Sequence, residues 1–196
     1  MKMSVAVILT LFYCLTFGGV NEASAQDPIE SWIDPTYKKK KYKKVMVIAP
    51  FSPPTYRKRF EQALVDGLKE RRIKAFPSTD IISNEELLDT TAFLQKVIDN
   101  KVDGVVVLNY LAGASKTTER LGFAGPIYIY GMAFINFDLD TRKTSAGLMQ
   151  IDFYQLPTRG TKYRSGVIIN TTNNSDIILE EFKIKATRKL TGDKVL

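Results

Sequence analysis

The run Val45-Met46-Val47-Ile48-Ala49-Pro50-Phe51 has no polar face, and a continuous apolar run of strand length suits a strand buried on both sides. Such a strand needs helices on both faces of its sheet, which rules out a simple helical bundle or an open antiparallel layer. The next segments meet that demand. After Pro53-Pro54 the period changes: Tyr56, Phe60, Leu64 and Leu68 recur every four residues beside Ala63 and Gly67, with Arg57, Lys58, Lys69 and Glu70 outside, which predicts an amphipathic helix from Thr55 to Arg72. Lys74 to Ser78 reads as a short second strand. Ser83 and Glu86 form a capping box that opens a helix carrying Leu87, Thr91, Leu94 and Ile98 on one side, and Asp103-Gly104 leads into the buried-type strand Val105-Val106-Val107-Leu108. Alternation of strand and helix favours parallel strands with right-handed crossovers.

Beyond Tyr110 a Gly/Ser/Thr-rich stretch runs from Gly113 to Gly125. Ile127 to Asp138 and Ala146 to Tyr154 are two long segments around the polar turn Asp140-Thr141-Arg142-Lys143 and predict an antiparallel hairpin. In the second segment Met149, Ile151 and Phe153 alternate with Gln150, Asp152 and Tyr154, so one face is apolar and the other half polar. A turn at Pro157 to Gly160 precedes a further strand, Tyr163 to Ile169. Ser175 opens a closing helix with Leu179, Phe182, Ala186 and Leu190 along its apolar stripe. The expected class is α/β: a mixed sheet with a parallel βαβαβ first half, an antiparallel hairpin second half and a C-terminal helix.

The amino-terminal residues carry an address. Lys2, the apolar run Val5 to Phe17 and the small-x-small pattern Ala23-Ser24-Ala25 before Gln26 have the order of a cleavable signal peptide, residues 1–25. The apolar run is shorter than the about 20 residues of a bilayer span. Cys14, the sole cysteine, follows Tyr13, which is too large for the small residue that lipoprotein cleavage requires. Cleavage removes Lys2 and Glu22, which cancel, so the exported chain keeps the net charge of +7. It would consist of a basic lead-in at 26–43, containing Trp32, and one domain at 44–196.

That exported chain would hold neither cysteine nor histidine, because the sequence has one Cys and no His. Zinc sites of the Cys/His kind, a Ser-His-Asp triad, a cysteine nucleophile, a histidine proton shuttle and disulfides are thereby excluded. Carboxylates could still serve a hydrolase, but no paired motif stands out. Asp138 and Asp140 lack the further acids a calcium loop requires, and Gly122, Gly125 and Gly131 lack the Lys-Ser/Thr pair of a phosphate loop. Asn170-Thr171-Thr172 and Asn173-Asn174-Ser175 match a glycosylation sequon, with helix capping the alternative for Ser175. Tyr128, Tyr130, Phe134 and Phe137 alternate with Ile127, Ile129 and Ile135, either as sheet core or as one wall of a groove. No cofactor is expected.

The sharpest charge feature is Lys38, Lys39, Lys40, Lys41, Lys43 and Lys44, interrupted by Tyr42. It reads either as a solvated flank that keeps a strand entrance soluble or as a contact for anionic lipid, lipopolysaccharide or another polyanion, at roughly 1 kcal/mol per lysine near a charged membrane. Nucleic acid is not expected, since no nucleic-acid motif accompanies the charge.

The strand Val45 to Phe51 after a tryptophan and basic lead-in, the helix with Arg59 and Glu61, Ala75-Phe76-Pro77-Ser78, Val102-Asp103-Gly104-Val105-Val106-Val107 and the late hairpin together resemble a group of bacterial envelope proteins. These are the small periplasmic and outer-membrane lipoprotein domains related to the curli-production lipoprotein and the TolB amino-terminal domain, and the resemblance covers about Lys43 to Leu196. It implies a mixed-sheet α/β fold and a non-enzymatic role in the envelope, binding a protein partner or assisting assembly of a surface structure. It implies no reaction and no active-site residue. The location expected is the periplasm, with outer-membrane association as the alternative; nothing in the residues sets an oligomeric state.

Overall fold

The computed structural model describes residues 31–114, 127–129, 132–134, 137–138, 146–158 and 160–196. The signal segment with Cys14, the Gly/Ser/Thr-rich stretch beyond Ala114, the turn Asp140-Thr141-Arg142-Lys143 and Gly122, Gly125, Tyr130 and Gly131 lie outside the described residues.

The strands are β1 (Trp32–Ile33), β2 (Val45–Ile48), β3 (Phe51–Ser52), β4 (Ala75–Pro77), β5 (Gly104–Ala114), β6 (Ile127–Ile129), β7 (Met132–Phe134), β8 (Phe137–Asp138), β9 (Ala146–Gln155) and β10 (Thr161–Ile169). The helices are α1 (Pro54–Glu70), α2 (Asn84–Leu88), α3 (Thr90–Asp99) and α4 (Ser175–Gly192), with a 3-10 turn at Ser78–Asp80. A mixed sheet of order β1-β10-β9-β5-β2-β4 forms the centre. Val45 pairs in parallel with Ala75 on one side and Gly104 on the other, while β9 runs antiparallel to β5 and to β10. The α/β class and the parallel first half agree with the sequence pattern.

Each face of the sheet has its own core. Val45, Val47, Val106, Leu108, Ile151, Phe153 and Val167 face α1 and α4, which add Phe60, Leu64, Leu68, Phe182, Ala186 and Leu190. On the other face Met46, Ile48, Val105 and Val107 meet Leu87, Phe93 and Val97 of α2 and α3. This is why Val45 to Ile48 carries no polar side: both of its faces are covered.

Several local expectations are corrected. The partners of β9 are β5 and β10, and the 127–138 segment instead pairs β6 with β7 and sets β8 parallel to β3. β5 ladders with β9 from Ala146 to Gln155 and β10 with it from Gly147 to Tyr154, so the antiparallel hairpin of the second half is β9 with β10. The helix opened by Ser83 is two helices: Ser83 and Glu86 form the capping box of α2, and the Asp89 carboxylate caps α3 through the N–H groups of Thr91 and Ala92. The buried side of α3 is accordingly Phe93 and Val97, and Ile98 is 66 % exposed. The cap of α4 is Asn174, whose side chain accepts from Ile177 N, rather than Ser175. Arg57, placed outside α1 by its charge, is only 1 % exposed.

The lead-in is laid against the domain from Trp32 onward. Trp32 and Ile33 pair with Arg164 and Tyr163 at the edge of the sheet, and Tyr42 packs edge-on to Phe153 with ring centroids 5.0 Å apart. Gly104 leaves the space for that pair, because a Cβ there would stand 3.0 Å from Phe153 and 3.1 Å from Tyr42.

Candidate functional site

Parallel pairing sets the starts of β2, β4 and β5 side by side. The residues just before each start therefore share one end of the domain: the lysine segment before β2, the α1–β4 connection, and the α3–β5 connection. Val45 N donates to Lys74 O, and Asp103 N donates to Lys44 O, so the three connections are stitched by backbone bonds.

Two adjoining hollows of 720 and 550 Å³ open there. Lys39, Lys40, Lys41 and Lys43 line the larger one with Arg72 and Lys74, over a floor of Tyr42 and Ile73. Lys43, Lys44, Lys69, Arg72 and Lys74 line the smaller, over Ala75 and Phe76. No Asp or Glu side chain lines either hollow among the described residues, and none of these cations pairs with one among them. Of the lysines singled out in the sequence, Lys38 is exposed but lines neither hollow. Lys69, Arg72 and Lys74 are not apparent as site residues in the sequence because they lie far along the chain. The signal that finds them is topological: if β2 and β4 are parallel neighbours, the residues preceding both must meet.

The segment is held in shape. Asp103 accepts the backbone N–H of Lys43 at 2.8 Å and of Lys44 at 2.9 Å through its two carboxylate oxygens. Tyr37 Oη donates to Val195 O at 2.7 Å and lies 3.0 Å from Tyr42 Oη, while Lys39 Nζ donates to Leu196 O at 2.9 Å. Burial pushes the Tyr42 phenol well above its ordinary range, with the Tyr37 hydrogen bond and the Asp103 charge acting in the same direction. Lys40 and Lys44 sit over the rings of Tyr42 and Phe76, at 5.1 and 4.8 Å from the centroids. Aromatic faces thus position cations without neutralising them.

Two buried carboxylates lie elsewhere and are consumed by structure. Glu61 accepts from Arg57, Ser78 and the backbone of Ala49 and Thr79. Asp152 accepts from Arg164 Nε and Gln150 Nε2, each at 2.7 Å. Among the described residues no group of three or more His, Cys, Asp and Glu side chains is arranged to hold a metal ion, and no helix is long and apolar enough to cross a membrane.

No protein-family model and no curated relative matches this chain. Among solved structures it is similar to the PelC dodecamer from Paraburkholderia phytofirmans, at 8% identity over 81% of this chain and 96% of that one, with a TM-score of 0.45. It is also similar to lipoprotein GNA1162 from Neisseria meningitidis, at 8% identity over 76% of this chain and 98% of that one, with a TM-score of 0.40.

Proposed function

We propose that this chain is an exported, non-enzymatic protein of the bacterial envelope that works by binding, and that the component it binds is anionic. The observation that carries the reading is the basic hollow: cations from two distant segments, Lys39 to Lys44 and Lys69 to Lys74, line one surface with no Asp or Glu side chain among its described lining residues. A flank that only maintained solubility would be served by scattered charge of both signs. The apolar floor of Ile73, Ala75 and Phe76 favours a ligand with phosphate or carboxylate groups on a partly apolar body, as in anionic lipid or lipopolysaccharide. The signal-like first 25 residues support delivery to a compartment where such molecules are met.

The test is binding of the purified protein to phosphatidylglycerol-containing vesicles and, separately, to lipopolysaccharide. Replacing Lys38, Lys39, Lys40, Lys41, Lys43 and Lys44 by Gln should weaken binding by about 10,000-fold, at roughly 1 kcal/mol per lysine. Added salt should weaken the parent in the same way, because the contact is made by exposed charges. An affinity indifferent both to the six substitutions and to salt overturns the reading.

A further inference from the structure

The non-glycine residues with positive φ among those described are Arg72 at 63°, Lys101 at 52° and Lys194 at 58°. All three are cations, and each occupies the same position, the first residue beyond the cap of a long helix. After α1, Arg72 N donates to Lys69 O and Ile73 N to Leu68 O; after α3, Lys101 N donates to Ile98 O and Val102 N to Val97 O; after α4, Lys194 N donates to Thr191 O and Val195 N to Leu190 O. These are three Schellman motifs, with apolar residues at the two positions the motif brings together, Leu68 and Ile73, Val97 and Val102, and Leu190 and Val195, each pair within one core cluster. Glycine is the residue that takes this left-handed position without steric cost, and a side chain there is strained.

The helix dipole does not account for the choice. A cation at a helix C-terminus is favourable, but Lys69, Lys96 and Lys189 already supply one in the last turn of α1, α3 and α4. In α4 the glycine available, Gly192, stands in the helix itself while Lys194 takes the positive φ. The chain thus accepts strain at three equivalent sites to display a positive charge, and strain of this kind gathers at functional positions.

The three sites lie around the lysine segment. Arg72 and Lys101 each precede by three residues the strand residue, Ala75 or Gly104, that pairs with Val45, so they flank Lys44 on either side. Lys44 Nζ donates to Asn100 Oδ1, next to Lys101. Lys194 precedes Val195 and Leu196, whose carbonyls accept from Tyr37 and Lys39. Arg72, Lys101 and Lys194 are all exposed.

We infer that Arg72, Lys101 and Lys194, with the lysine segment at their centre, form a flat cationic end that seats the domain on an anionic bilayer surface. This rests on the proposed anion-binding reading and deepens it. Charges spread over the ends of three separate helices around the lysine segment match the many phosphates of a lipid surface better than a single strand of polymer lying in the hollow.

The experiment compares the parent with two triple variants, R72G/K101G/K194G and R72Q/K101Q/K194Q, in sedimentation with vesicles of phosphatidylglycerol in phosphatidylcholine. Both should lose affinity, by about fivefold for each cation. The glycine variant should also melt higher than the parent, by roughly 5 °C, because the left-handed positions are relieved. The glutamine variant keeps the strained backbone and should melt no higher than the parent. Vesicle affinity unchanged in both variants overturns the inference, while loss of binding in the six-lysine variant alone would leave the underlying reading in place. If the triple variants lose affinity for soluble inorganic polyphosphate as strongly as for vesicles, the cations serve a polymer chain and the planar surface is overturned. If the six-lysine variant also binds vesicles like the parent, the anion-binding reading itself falls.

Discussion

Arg57 donates its Nε to Glu61 Oε1 at 3.1 Å, one turn along α1, with the two side chains 1 % and 0 % exposed. The guanidinium also reaches Asn84 Oδ1, Ser78 Oγ and Ile82 O, so one ion pair ties α1 to the chain beyond β4. Glu61→Gln leaves a buried cation without its counter-charge and should cost about 3 kcal/mol or more. Urea unfolding measures it, and the double variant Arg57→Met with Glu61→Leu should be milder than the single one.

Gly67 lets α1 and α4 approach, since a Cβ there would overlap Thr187 Oγ1 and stand 3.4 Å from Thr187 Cβ. The Thr187 hydroxyl is buried and has no hydrogen bond among the described residues. Gly67→Ala should destabilise by about 1–3 kcal/mol through overpacking. In a Thr187→Ala background the same change should cost less, with only Lys183 Cγ, 2.9 Å from the new Cβ, left to shift, and a double-mutant cycle in denaturant should show coupling of about 1 kcal/mol or more.

Asp34 fixes β1 to β10: its carboxylate accepts Lys162 Nζ at 2.6 Å and both the N–H and hydroxyl of Thr36 at 2.7 Å. The Lys162 bond, then those from Thr36, lower its pKa from the ordinary 3.8 to about 2. A depressed folded pKa gives stability that is complete above the ordinary value and lost as pH falls from there through about 2. Trp32, the single tryptophan, reports on this strand. Its fluorescence should titrate near 2, and Lys162→Met should move the midpoint upward, with Thr36 retaining part of the depression.

Tyr163 Oη donates to Asp193 Oδ2 at 2.9 Å beneath the same edge, and burial pushes its pKa up from the ordinary 10.0 to about 12, against the opposing bonds of Ser165 and Ser31. A raised folded pKa means stability is complete below the ordinary value and lost as pH rises through the folded one. Tyr163→Phe should therefore flatten the alkaline decline in melting temperature between about pH 10 and 12.

Asp103 anchors the lysine segment by its backbone, and Asp103→Ala releases the N–H groups of Lys43 and Lys44 together. Charge alone says that removing an acid beside a basic surface should tighten anion binding. Preorganisation says the reverse, because loose lysines must be ordered on binding. The expected outcome is weaker vesicle binding at every salt concentration, with a stability cost of about 1–3 kcal/mol in thermal unfolding.

The parts legible in the sequence were those set by local periodicity. Val45 to Ile48 announced burial on both faces, Phe60, Leu64 and Leu68 announced the buried side of α1, and Ser83 with Glu86 marked a helix start. Period tells which face a residue points to but not which strand lies beside it, so the pairing of β9 with β5 could not be read from Met149, Ile151 and Phe153. Charge suggested that Arg57 lay outside, and only the arrival of Glu61, Ser78 and Asn84 around it makes its burial tolerable. The basic end was half legible: its lysine run is contiguous, whereas Lys69, Arg72 and Lys74 join it through the parallel register.

The bonds that hold residues 31–44 reach far along the chain: Ser31 meets Ser165, Tyr37 meets Val195, Lys39 meets Leu196, and Lys43 meets Asp103. None of these partners is local, so the opening strand has nothing to close on until β10 is in place, and the lysine segment is complete only when the residues after α4 join it. The assembled basic end is thus a certificate of completion. A partly folded chain carries every one of its lysines yet not the surface they make together, and any target that reads the surface rather than the charge will pass such a chain by.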